Sequence, residues 1–208
     1  MNIVKPSSTV RMLFPNSIWK IKTAEPVLFL TFDDGPIPEI TTWVLDVLAK
    51  YNAKATFFCV GDNVAKHPQV YGKVLSEGHL VGNHTQNHLQ GIKNRFSYYI
   101  DNIKKASTFI ESDYFRPPHG LLTHRQSAYI RKELNMKVVM WDVLSVDYSP
   151  KITPEKCLQN VTGNAGAGSI IVFHDSLKAE QNLKFTLPKV LEYYSQKGYS
   201  FKTLEEES

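Results

Sequence analysis

Two adjacent carboxylates, Asp33 and Asp34, end the apolar run Val27-Leu28-Phe29-Leu30 within the segment Thr31-Phe32-Asp33-Asp34-Gly35-Pro36. Neighbouring like charges raise each other's pKa unless a cation or a division of labour relieves them. One carboxylate holding a metal while the other acts as a base meets that condition. Asp-Gly-Pro is also ordinary turn chemistry, and the segment alone leaves both readings open. A second run ends in Gly82-Asn83-His84-Thr85-Gln86-Asn87-His88, which places two imidazoles four residues apart. That spacing faces them the same way on one helical turn and suits Zn or a similar divalent ion. With Asp34 they make three ligands, and three protein ligands plus an open position mark a catalytic metal site.

Two further residues stand at the ends of apolar runs. Arg116 precedes the stiff loop Pro117-Pro118-His119-Gly120 and is placed to steady Asp33 as a carboxylate. His174 follows Ile170-Ile171-Val172-Phe173 and brings a titratable imidazole to the same end.

The elements that must position these groups follow from periodicity. Short apolar runs over residues 27–31, 54–60, 79–82, 114–116, 137–143, 169–173 and 199–204 alternate with amphipathic stretches, which signals βα units with parallel strands covered on both faces. Ile40, Val44, Val47, Leu48 and Tyr51 recur at helical spacing, as do Phe96, Ile100, Ile103 and Ile110. Residues 62–77, 124–134, 154–160 and 183–196 are expected as further crossover helices, with Gly78 and Gly198 as stops. About seven strands in one domain fit either a distorted barrel or a doubly wound sheet. Either fold gathers strand C-termini into one site, which is where Asp33, Asp34, His84, Arg116 and His174 all fall.

Bulk properties exclude several classes. With 208 residues and 42% hydrophobic content the chain can bury a full core. A net charge of +4, spread among acidic residues, gives no basic stripe of the nucleic-acid-binding kind. The two cysteines, Cys59 and Cys157, make no disulfide framework. No apolar run reaches the roughly 20 residues of a membrane span, and no signal peptide is legible, so the chain reads as cytoplasmic, or extracytoplasmic if trimmed. No protein partner is inferable.

The ordered motifs Thr-Phe-Asp-Asp-Gly-Pro, Ala-Thr-Phe-Phe-x-Val-Gly, Asn-His-Thr-x-x-His, Arg-Pro-Pro-x-Gly and the strand ending in His-Asp make the chain resemble the polysaccharide deacetylases, the NodB-homology group of carbohydrate esterase family 4. The resemblance implies a distorted (β/α) barrel over residues 25–208, preceded by an extension of residues 1–24 packed on it. It implies a hydrolase that removes the N-acetyl group of N-acetylglucosamine-type residues in a peptidoglycan- or chitin-like glycan and releases acetate. Asp33 would be the general base, Asp34, His84 and His88 the ligands of a divalent metal (Zn foremost, with Co, Ni or Mn as alternatives), His174 the general acid, and Arg116 the partner of Asp33. An O-acetyl xylan esterase or other acylated-sugar deacylase, and a non-catalytic metal-containing glycan-binding module, are the other readings. The module should lack Asp33 or His174, and both are present.

Two departures from the family pattern stand out. His119 replaces a common aromatic in the loop whose backbone N–H supports the oxyanion, so a substrate contact is expected there. In the fifth run, Leu144 occupies the place of the acid that tunes the catalytic histidine. Asp142, two residues earlier on the same strand face, is the expected substitute. Tyr148 and Val172 are expected to line the acetyl pocket.

Overall fold

A computed structural model describes residues 4–204; the ends of the expected extension and domain, residues 1–3 and 205–208, lie outside the described residues. The elements in chain order are α1 (Ser8–Met12), β1 (Val27–Asp33), α2 (Pro38–Ala49), β2 (Ala55–Cys59), α3 (Gly61–Lys66), α4 (Pro68–Ser76), β3 (Leu80–Asn83), α5 (Phe96–Ala106), β4 (Tyr114–Phe115), α6 (His124–Lys132), β5 (Lys137–Val138), β6 (Val143–Leu144), α7 (Pro154–Thr162), β7 (Ile170–His174), α8 (Glu180–Ser195) and β8 (Ser200–Phe201). All the strand pairings are parallel, in the order β5-β4-β3-β2-β1-β7-β6, so the sheet is a curled, incompletely closed barrel. β8 pairs with the lower end of β1, and Lys54 N donates to Phe201 O at 3.0 Å, so β8 wedges between β1 and β2 below their shared register.

β1 is the hub. Every residue of Val27–Asp33 is buried, as a strand sheathed on both faces requires. The two-residue period sends Leu28, Leu30 and Phe32 outward to the helices. Phe32 stacks between Phe57 and Phe173 at ring-centroid distances of 5.0 and 5.9 Å; burying each such ring contributes roughly 1.5–3 kcal/mol. Phe29 turns inward to a cluster with Phe58, Tyr114, Val139 and Ile170. Thr31 and Asp33 follow Phe29 on the inner face, which delivers Asp33 to the mouth of the barrel.

Three expectations about elements are corrected. The helix over 62–77 is two, because Pro68 starts α4 and has no N–H with which to continue α3. The fifth strand is also two: β5 pairs with β4 and β6 with β7, on opposite edges of the sheet, so residues 139–142 must cross the gap between them. The N-terminal arm fills that gap: Ile18 N donates to Val138 O and Met140 N to Ile18 O, both at 2.8 Å, while Ile21 N donates to Gly168 O at 2.9 Å. Finally, His84 to His88 is no helical turn. Thr85 and His88 have φ of 67° and 57°, and an irregular turn supplies the i, i+4 juxtaposition. Gly78 and Gly198 do sit past α4 and α8 with φ of 76° and 77°. Cys59 and Cys157 are free and buried. No helix among the described residues is long and apolar enough to cross a membrane.

Candidate active site

The C-terminal ends of β1, β3 and β7 and the residues after β4 and β6 surround a cleft of about 480 Å³. Asp33, Asp34, His84, His88, His119, Tyr148, Val172 and His174 all line it. Among the described residues, Asp34, His84 and His88 are the group that could hold a metal ion, with one ligand atom from each lying within 4.8 Å of the others. Asp34 Oδ1 lies 3.3 Å from His88 Nε2 and 3.9 Å from His84 Nε2. The backbone pays a conformational cost to present it: Asp34 has φ 86°, in a region unfavourable for a residue with a Cβ. Its carbonyl is pinned by Asn63 Nδ2 at 2.7 Å. The next residue must be glycine, since a Cβ on Gly35 would lie 1.9 Å from Asp175 Oδ2. Asp175 is buried, accepts from Gly35 N at 3.0 Å and bonds Thr41 Oγ1 at 2.6 Å. Burial, followed by the charge of Asp34, lifts its carboxyl to about 8.

The donor set fits a divalent cation on two counts. Asp34 Oδ1 is buried with no hydrogen-bond partner, which is costly unless a cation faces it. His84 Nδ1 lies 2.7 Å from Arg116 O, so it carries the proton and leaves the Nε2 lone pair toward Asp34. Burial, then repulsion from His88, holds the His84 pKa well below its usual value, which keeps the ring neutral as a ligand must be.

Asp33 is 6% exposed and bound by Arg116. Arg116, 1% exposed, donates from Nη1 to Asp33 Oδ1 and to Thr31 Oγ1, both at 2.7 Å, and from Nη2 to Met140 O at 2.8 Å. Its guanidinium lies 4.1 Å from the centre of the Phe58 ring. The expected pairing of Arg116 with Asp33 is present, and the second oxygen, Oδ2, lies 4.0 Å from His84 Nε2.

The expected pairing of His174 with Asp142 is absent. β6 and β7 are in register with Val143 beside Ile171 and Leu144 beside Val172, so Asp142 sits level with Ile170. That is four residues, or roughly 13 Å, below His174. The carboxylate at His174 belongs to Asp147, which is fully buried: its Oδ1 accepts from His174 Nδ1 and its Oδ2 from His174 N, each at 2.8 Å. Val146, with φ 65°, breaks the extended strand just before it. Burial pulls the imidazolium of His174 down, but the charge and hydrogen bond of Asp147, with Asp34 and Asp33 behind, more than offset this and raise its pKa to about 9. Sequence reasoning missed Asp147, which lies just beyond the fifth run and directly before Tyr148.

His119 stacks edge-on against His88 with centroids 4.8 Å apart and φ 60°. Tyr148 sets its ring edge-on to His174 at 4.8 Å. Leu144 and Val172 pack together, with Trp141 and Tyr148 against them, as one apolar wall of the cleft.

The family model described as polysaccharide deacetylase matches residues 20–139. This chain belongs to the polysaccharide deacetylase family. Relatives of this deacetylase include the peptidoglycan-N-acetylglucosamine deacetylase of Bacillus cereus, 34% identical over 197 residues that cover 90% of this chain and 91% of the relative. The peptidoglycan-N-acetylglucosamine deacetylase PgdA of Listeria monocytogenes is 32% identical over 96% of this chain, which spans only 43% of that protein. Among solved structures, the Bc1960 peptidoglycan N-acetylglucosamine deacetylase superposes with a TM-score of 0.87 at 30% identity, covering 97% of this chain and 96% of the other.

Proposed function

We propose that this protein is a metal-dependent N-deacetylase that hydrolyses the acetamido group of N-acetylglucosamine-type residues in a glycan and releases acetate. The observation that carries the proposal is the placement of Asp33, paired with Arg116, and His174, paired with Asp147, on one cleft with the Asp34-His84-His88 set. The names of the relatives above support a peptidoglycan-type polymer as substrate.

Amide hydrolysis needs a proton taken from water and a proton given to the departing amine. Asp34, His84 and His88 would hold a divalent cation, which when bound supplies Lewis acidity to the acetyl carbonyl and makes a water more acidic. Arg116 engages Asp33 Oδ1, so the proton from water goes to Oδ2, the oxygen facing the ligand set. Asp147 holds His174 by Nδ1 and keeps it an imidazolium, so the proton at Nε2 passes to the sugar amine as the C–N bond breaks. The wall of Leu144, Tyr148 and Val172 takes the acetyl methyl and excludes water.

The test is acetate release from N-acetylglucosamine oligomers by metal-reconstituted protein. Chelation, Asp33→Asn and His174→Ala should each abolish it, and Zn binding should survive in both variants. A wild type that binds Zn tightly and releases no acetate would overturn the proposal.

A further inference from the structure

The arm before β1 reaches the cleft as well as the edge of the sheet. Val4 O accepts from Leu144 N at 2.8 Å, and the Val4 side chain packs against the Leu144, Val146 and Val172 cluster. Pro6 and Val10 line the same cleft as Leu144 and Val172. The next residue, Arg11, donates from Nε to Pro6 O at 3.2 Å and from Nη2 to Asp142 Oδ1 at 2.5 Å. The other oxygen of Asp142 accepts from the Ser169 hydroxyl at 2.5 Å, with Lys5 Nζ 3.8 Å away. Lys5 Nζ also donates to Asn164 O at 2.6 Å. Asp142, 1% exposed, is thus a buried anion whose cations both come from the arm. An ion pair of this kind holds its element firmly, because losing one partner leaves a buried charge uncompensated.

We propose that Pro6 and Val10, backed by Val4 and latched through Arg11 and Lys5 to Asp142, form the wall that restricts the accepted acyl group to acetyl. The proposal rests on the deacetylase reading and adds a specificity element to it. Asp142, which does not reach His174, is on this account a positioning residue for the arm. Val4 packs against the apolar residues that would receive the methyl group, and Pro6 and Val10 line the same cleft, so on this account a longer acyl chain runs into the arm. A methylene more or less in such a pocket changes selectivity by about 10–200-fold.

The experiment measures kcat/KM of the metal-loaded full chain on matched N-acetyl, N-propionyl and N-butyryl glucosamine oligomers. Wild type should favour acetyl over butyryl by at least about tenfold. Arg11→Met, which opens the latch, and Val10→Ala, which shortens the wall, should each shrink that ratio at least fivefold, while Arg11→Lys should restore most of it. Both positions are only partly buried, so the variants are expected to fold, and circular dichroism checks this. A purely structural role for the arm scales all three substrates together, so an unchanged ratio in both variants overturns the proposal. Equal turnover of acetyl and butyryl amides by wild type also overturns it while leaving the deacetylase reading intact. Release from none of the three refutes that underlying reading.

Discussion

Replacing Asp147 by asparagine separates the proton affinity of His174 from its position. In the wild type, His174 titrates at about 9 against an ordinary 6.5, a gap worth about 3 kcal/mol of preference for the charged ring. Asp147 accepts from both His174 Nδ1 and His174 N, and an asparagine has one oxygen for those two donors. If the oxygen serves the backbone, the amide NH₂ meets a protonated Nδ1; if it serves the ring, NH₂ meets the backbone N–H. Either way the imidazolium loses its anionic partner, and burial, the largest influence on this group and one that lowers its pKa, then dominates. The midpoint should fall to 6.5 or below. At pH 7.5 the ring would go from almost wholly protonated to about one molecule in ten, a tenfold loss before any change of tautomer is counted. Misorientation of a histidine that has lost its carboxylate adds to this, so kcat should drop by about 10²–10⁴. The assay is acetate release from pH 5 to 10, with ring titration by NMR. The alkaline limb should move to lower pH by about two units or more. A bound cation depresses both midpoints alike, so their separation is the quantity tested. A variant whose alkaline limb coincides with that of wild type would refute the assignment of Asp147 as the group that keeps the acid protonated. Stability supplies a second readout, because a base whose folded pKa is raised stabilises fully below its unfolded value and loses that as pH rises through the folded one. The wild-type advantage in Tm over Asp147→Asn should therefore be largest below pH 6.5 and fade through about pH 9.

Three further outcomes follow from the buried network. Arg116→Met leaves Asp33 buried without its cation and strips donors from Thr31 and Met140, so chemical denaturation should show a loss of about 3–5 kcal/mol; Arg116→Lys should fold but lose at least about tenfold in kcat, because an ammonium cannot reproduce the fork. Gly35→Ala drives a Cβ into Asp175 Oδ2 and shifts the turn that carries Asp34, so calorimetry should find Zn binding weakened by about 10–100-fold, with the fold retained; unchanged affinity would show that this turn does not set the ligand geometry.

Much of this site was legible from residue order alone. A strand buried on both faces reads as an unbroken apolar run, and the residue that ends it must emerge at the sheet's C-terminal edge, so Val27 to Leu30 already sends Asp33 and Asp34 to the mouth of the barrel. The same logic places His84, Arg116 and His174, and the types of these residues restrict the chemistry to metal-assisted acid and base work. Relations between strands were not legible. Whether Asp142 or Asp147 meets His174 depends on the register of β6 against β7 and on the left-handed backbone at Val146, a conformation that a β-branched residue adopts only when its surroundings impose it. The His84 to His88 turn matched a helical spacing without being a helix, because the ligand geometry is held locally by Asn83 and, from other elements, by Asn102 and Arg116. The role of the arm was equally hidden. Its polar composition says nothing of Ile18 pairing with Val139 or of Arg11 meeting Asp142, contacts between segments far apart in the chain that only the curl of the finished sheet brings within hydrogen-bonding distance.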